Sequence, residues 1–484
     1  MKRRDVLRSG WALGTGLAVS GPSTMLRAAT DNAAVTFPNG FLWGVATAAY
    51  QIEGGVHEGG RGASIWDTFS HTPGKTKNGD TGDVADDSYH RWRDDIALMK
   101  QLGVKSYRFS IAWPRIQPTG RGPANQAGLD YYKRLVDGLL EAGIRPFPTL
   151  YHWDLPQALE DAGGWPNRDT ADRMTDYAHI MARALADRVH AWSVLNEVKT
   201  FTQAGYWDGG MAPGRKDPLA FLKSTHVANL ANANAFRALK AVNPKVEVGS
   251  AYDCANCFPA SDSVADKAAA VRWDKLINLW YLQATLTGTY PDLLPADQQA
   301  ALLGWQAGDE ARLKVPLDFV GINYYSGWRV WDEPKGNGIP NLNTRAEWAW
   351  SPRSIGKSDF GWDIDPPGIR QILKRMQQLT GSIPIEITEN GIADNTPPAA
   401  YGRIHDVRRI DYLRRHLTEL RNAIDDGVPV RAYHLWSLID NFEWAAGYSQ
   451  RFGIVHVDFD HGQKRTPRDS AYWYAKVIRD NAVA

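Results

Sequence analysis

Pro384-Ile385-Glu386-Ile387-Thr388-Glu389-Asn390-Gly391 decides the fold. The β-branched run reads as a short strand, it ends in the carboxylate of Glu389, and Asn-Gly turns the chain at once. Seven other short apolar runs share this character: 41–46, 105–111, 146–150, 190–195, 246–250, 319–323 and 430–435, beside 385–388 itself. Longer amphipathic segments lie between them. Residues 88–102 carry Ile96, Met99 and Leu102 on one side, 129–142 end at Gly143 as a helix cap would, and 172–187 and 410–426 are also helical in pattern. Eight strand–helix units in one chain predict an α/β fold, a closed (β/α)8 TIM barrel, with its site on the face made by the loops that follow the strands. Long loops at 49–85 and 324–365 fall on that face.

In a barrel the strand ends meet on one rim. Gln51 and Glu53 follow the first strand, Arg108 lies within the second, and His152 and Trp153 follow the third. Asn196 and Glu197 follow the fourth, Asn323 and Tyr325 belong to the sixth, Glu389 to the seventh, and Trp436, Glu443 and Trp444 to the eighth. One polar residue at a strand end is often only a turn former, but this many together describe a site. Two carboxylates, Glu197 and Glu389, far apart in sequence and brought to one rim, are what glycoside hydrolysis by double displacement requires.

The balance of 55 basic against 54 acidic residues argues against nucleic acid as a partner. Twenty Trp and 19 Tyr suit a core and sugar-stacking surfaces alike. Cys254 and Cys257 are the only cysteines; alone they fall short of a zinc site or a disulfide framework and leave two thiols or one local disulfide open. Neither cofactor nor metal is expected. Arg3-Arg4, followed by a weakly apolar stretch at 11–19 broken by Gly14 and Gly16, reads as a twin-arginine export signal over residues 1–29. Residues 30–484 then form one domain of a periplasmic or secreted protein, with no membrane attachment after processing and an oligomeric state left open.

The motifs resemble those of the family 1 glycoside hydrolases of β-glucosidase type. They are Phe41-Leu42-Trp43-Gly44-Val45-Ala46, Tyr107-Arg108-Phe109-Ser110, Tyr151-His152-Trp153-Asp154, Gly321-Ile322-Asn323-Tyr324-Tyr325, Ile387-Thr388-Glu389-Asn390-Gly391 and Trp436-Ser437-Leu438, continuing to Glu443-Trp444. The resemblance implies a retaining exo-β-glycosidase that releases a terminal β-D-glucosyl unit. Glu389 resembles the nucleophile, Glu197 the acid/base, and Arg108 and Tyr325 residues that keep the nucleophile ionised; Asn323 belongs to the same catalytic set. Gln51, His152, Asn196, Glu443 and Trp444 would bind sugar hydroxyls, with Trp436 under the ring, Trp153 on the same wall and Trp362 on the leaving-group side. Glu443 would repel a 6-phosphate by its charge.

One motif departs from the family. Where it usually reads Thr-x-Asn-Glu-Pro, this chain has Val194-Leu195-Asn196-Glu197-Val198. The carboxylate survives, and the change bears on the leaving-group side. A transglycosidase using an alcohol acceptor, or a non-catalytic sugar binder, are the competing readings. The intact Glu197, Glu389, Arg108 and Tyr325 speak against the binder.

Overall fold

The computed structural model describes residues 34–484; the export-signal reading lies outside them. Eight parallel strands close into a barrel: β1 Leu42–Ala46, β2 Ser106–Ser110, β3 Arg145–Tyr151, β4 Ala191–Asn196, β5 Glu247–Asp253, β6 Val320–Asn323, β7 Ile385–Asn390 and β8 Val430–Trp436. They follow one another around the barrel in sequence order, and β8 closes against β1 with Tyr433 opposite Trp43. The eight expected strands and their order are all present.

The main return helices are α1 Ser88–Gln101, α2 Gln126–Glu141, α3 Asp169–Leu185, α4 Pro218–Val242, α5 Trp280–Thr287, α6 Pro366–Thr380, α7 Val407–Asp425 and α8 Asp469–Asp480. In α2 the buried face is Tyr131, Tyr132, Leu135, Val136 and Leu139, the spacing of a helix packed on one side. It stops because Gly143 adopts φ 72°, letting Gly143 N donate to Leu140 O and Ile144 N to Leu139 O. No helix among the described residues is long and apolar enough to cross a membrane.

The two ends of the barrel differ. At the start of the strands, Phe147 and Phe319 meet at 5.5 Å between ring centroids. Beside them Arg145 and Arg431 both donate to Glu386, and Arg431 also grips Glu247 at 2.7 and 2.9 Å. Glu386 is fully buried; burial acts to raise its pKa, and the charges of Arg145 and Arg431, with His434, outweigh burial and hold it below the usual value.

At the other end the chain is longer and richer. The loops after β5 and β6 together form a small sheet, with Trp328–Asp332 between Cys257–Pro259 and Thr344–Trp348. The stretch 324–365, expected as one long loop, thus contains a hairpin. Both cysteines of the Cys-x-x-Cys stretch are free thiols.

Candidate active site

β7 delivers Glu389 one residue later than a regular ladder would. The pairing with β6 shifts between Ile387 and Glu389, so that Glu389 stands opposite Asn323. A bulge of this kind re-aims a side chain next to a site, and it carries the strand on to Asn390, past the expected end at 388. At β4 the turn is sharper. Glu197 takes left-handed backbone, φ 50°, and its N–H donates to Ala251 O at 2.8 Å. Trp153 (φ 80°) and Trp444 (φ 51°) are also left-handed. Non-glycine residues held there cost about 1–3 kcal/mol each and cluster at functional sites.

These residues line one cavity of about 420 Å³ above the barrel, with His152, Trp153, Glu197, Asn323, Tyr325, Trp362, Glu389, Trp436, Glu443 and Trp444 on its walls. Glu389 is gripped at both oxygens. Arg108 Nη1 donates to Oε1 at 2.6 Å and Tyr325 OH to Oε2 at 2.8 Å. From there a hydrogen-bonded chain runs to the other carboxylate. Arg108 Nη2 donates to Asn196 Oδ1 at 2.6 Å; Asn323 Nδ2 donates to the same oxygen at 3.1 Å and to Glu197 Oε1 at 2.7 Å. Thr388 Oγ1 fixes the other end of the Asn323 amide at 2.6 Å.

Burial pushes both glutamates above the ordinary carboxylate range. For Glu389 the guanidinium of Arg108 and the hydroxyl of Tyr325 pull back against it. Glu197 is pushed much further, by burial first and then by the negative charges of Asp253 and Glu389. Of the two, Glu197 is the one that favours a proton. Asn323 occupies its Oε1, which leaves Oε2 as the oxygen free to present that proton.

The sugar-side residues are ordered by the same network. His152 is held neutral, its pKa driven down by burial and by Arg108. Its Nε2 accepts from Asn196 Nδ2 at 2.9 Å, which leaves the N–H on Nδ1, buried and without a protein partner. Asn196 Nδ2 retains its second hydrogen. Gln51 Nε2 donates to Asn441 Oδ1, Phe442 O and Glu443 Oε2 at 2.9–3.4 Å, and Gln51 Oε1 has no protein partner. Trp153 donates to Asn196 O at 2.9 Å and packs on Trp444 with centroids 4.6 Å apart. Trp436 is stacked beside His152 at 5.9 Å. Glu53, by contrast, is drawn off the rim by Arg115 and Tyr132.

Glu443 corrects an expectation. Burial, with Glu389 nearby, raises its pKa to about 8, so it is neutral at pH 7 and repels nothing by charge. The obstacle to a phosphate is instead the lack of a free cation: Lys199 is the one Lys or Arg on the cavity wall among the described residues, and Asp253 neutralises it.

Val198, where the family usually has Pro, is the first residue of the short helix Val198–Thr202. That position needs no N–H within the helix, so either residue fits. Further along the same cavity wall stand residues that the strand-end pattern did not point to: Lys199, Asp253, Met211, Trp328, Trp348, Phe360 and Phe452. Asp253 ends β5 as Asn196 ends β4, so the strand-end rule would have found it had that strand been extended past 250.

Residues 33–483 match the model of glycosyl hydrolase family 1. Beta-glucosidase A of Acetivibrio thermocellus is 44% identical over 450 residues, 92% of this chain and 99% of the relative. A bifunctional beta-D-glucosidase/beta-D-fucosidase of Bifidobacterium breve is also 44% identical, with coverage of 92% and 99%. Among solved structures, the family 1 β-glucosidase of Thermotoga maritima superposes with a TM-score of 0.87 at 42% identity, covering 93% of this chain and all of that one. The chain belongs to glycosyl hydrolase family 1.

Proposed function

We propose that the protein is a retaining β-glucosidase that removes the terminal non-reducing β-D-glucosyl unit of β-glucosides. The observation that carries the reading is the pair of buried glutamates in one cavity, one gripped by Arg108 and Tyr325 and the other pushed by burial and neighbouring charge toward holding a proton. Glu389 attacks the anomeric carbon while Glu197 Oε2 gives its proton to the glycosidic oxygen; the C–O bond breaks and the alcohol leaves. Esterification removes the charge of Glu389. Glu197, now ionised, takes a proton from water, and the resulting attack on the anomeric carbon returns Glu389 as a carboxylate. Asn196, His152, Gln51 and Glu443 supply donors and acceptors for sugar hydroxyls, and Trp436 an apolar face.

The test is the pair Glu197→Ala and Glu389→Ala. The Glu197 variant should keep turnover of a dinitrophenyl β-glucoside to the glycosyl-enzyme stage, and azide should release β-glucosyl azide from it. The Glu389 variant should lose turnover of every substrate. Inverted product from the wild type, or β-azide from the Glu389 variant, would defeat these assignments.

Export by the twin-arginine route is part of the same proposal, supported by Arg3-Arg4 and the weak apolar stretch after them. Changing both arginines to lysine should leave precursor in the cytoplasm, and normal export would remove the argument.

A further inference from the structure

On the leaving-group side, two residues along from Glu197, Lys199 forms an ion pair with Asp253 at the end of β5. The same carboxylate oxygen, Oδ2, accepts from Thr200 Oγ1 at 3.0 Å. Asp253 Oδ1 is buried with no partner. The ammonium of Lys199 lies 5.3 Å from the Trp328 ring and 5.7 Å from the Trp348 ring, and its side chain is only 9% exposed. Both members of the pair line the same cavity as Glu197. An ion pair is costly in so apolar a wall, and it contacts neither Glu389 nor the network around Arg108.

We propose that the Lys199–Asp253 pair is a positioning pair for the acid/base: the Asp253 carboxylate favours a proton on Glu197, and the Lys199 ammonium limits that pull. The inference rests on Glu197 being the acid/base. Two opposite charges beside one proton donor act as a balance, and removing either tips it in a different direction. The other titratable groups on the wall of that cavity come from several elements, Asp208 among them from beyond the short helix Val198–Thr202. From β7 comes Glu389, from the loop after β6 Tyr325, and from the loop after β8 Glu443, which is neutral below about pH 8. From β3 comes neutral His152, and from beyond β5 the protonated thiol of Cys254. Arg108 reaches it only through Asn196 and Asn323. Burial and Asp253 are the foremost causes that raise Glu197, ahead of Glu389. The arrangement also serves the second half of the reaction. When Glu389 is esterified its charge is lost, but that of Asp253 stays, so Glu197 remains basic enough to take a proton from water.

The experiment is the pH profile of kcat/KM for phenyl β-glucoside, whose alkaline limb reports the proton on Glu197 together with that on Glu443, and only the first should answer to changes in the pair. Asp253→Asn should move that limb down by about one unit, and Lys199→Gln should move it up by a similar amount. The double variant removes both charges together and should return the limb close to wild type. With dinitrophenyl β-glucoside, whose departure needs no acid, only the limb of Glu443 should remain, and it should stay in the same place in wild type and variants alike. If one single variant fails to fold, the other and the double variant still decide the matter. Limbs that stay put, or move the same way in both single variants, would overturn the proposal and leave a purely structural pair. Azide rescue of Glu197→Ala is measured with the pair intact, so its failure would sink the acid/base assignment itself and is told apart from failure of the pair.

Discussion

Arg108→Met keeps a side chain of similar reach and removes the guanidinium behind Glu389. Three hydrogen bonds go with it, to Glu389 Oε1 at 2.6 Å, Asn196 Oδ1 at 2.6 Å and Thr388 O at 3.3 Å. Arg108 itself is wholly buried, so water replaces these bonds poorly. Removing one partner of a buried ion pair costs about 3–5 kcal/mol when the other keeps its charge. Glu389 has an escape, which is to take up a proton. Its pKa, already raised by burial, rises further once Arg108 no longer pulls it down. The folded value then stands well above the unfolded one. Stability of the variant relative to wild type is best below the unfolded carboxylate range and is lost as the pH rises through the folded value. The same proton disables the nucleophile. The acid limb of kcat/KM should therefore move up, and at about pH 6 activity on an aryl β-glucoside should fall by about 100-fold or more, part of it returning on the alkaline side. Steady-state rates across the pH range, with urea unfolding at an acidic and a neutral pH, measure both effects. An unmoved acid limb with near-normal activity would refute the view that Arg108 keeps Glu389 ionised.

Glu443→Gln should raise thermal stability, because the native carboxyl must gain a proton on folding. Its pKa moves from 4.5 to about 8, so the gain over wild type, followed by melting temperature, should grow from about pH 4.5 to 8 and level off above. Glu386→Gln should destabilise by about 1–3 kcal/mol at neutral pH, since Arg145 and Arg431 lose a charged partner but keep some solvent. The pKa of Glu386 is depressed, so its contribution is present above the unfolded value and disappears as the pH falls; urea titrations of variant and wild type should converge in acid. A 6-phospho-β-glucoside should be turned over far more slowly than the plain glucoside, because no unpaired Lys or Arg lines the cavity among the described residues; comparable rates would contradict this.

The barrel was legible because each strand is a short apolar run set off by an amphipathic helix, a pattern that period and turn chemistry display directly. The rim was legible for the same reason, as side chains at strand ends have one place to go. What escaped the sequence were properties of burial and of loops. The neutrality of Glu443 comes from a shell of groups scattered over the chain, and no local pattern announces it. Asp253 ends a strand that continues through Tyr252, three residues beyond the obvious apolar stretch. Trp328 and Trp348 alternate with polar residues in a hairpin that pairs with Cys257–Pro259, a long-range partnership no window of sequence contains.

That small sheet divides the labour of the cavity. The groups that grip Glu389 and Glu197 stand on the barrel strands or just beyond their ends, and each strand is held by two neighbours. Trp328 and Trp348 stand on an appendage joined to the barrel only through the loops after β5 and β6. The enzyme is thus assembled as an engine and an interchangeable fitting. On the proposed reading, exchanging the appendage for one of different shape should change the leaving groups accepted and leave the hydrolytic machinery in place, which makes it the segment to randomise first when a different aglycone is wanted.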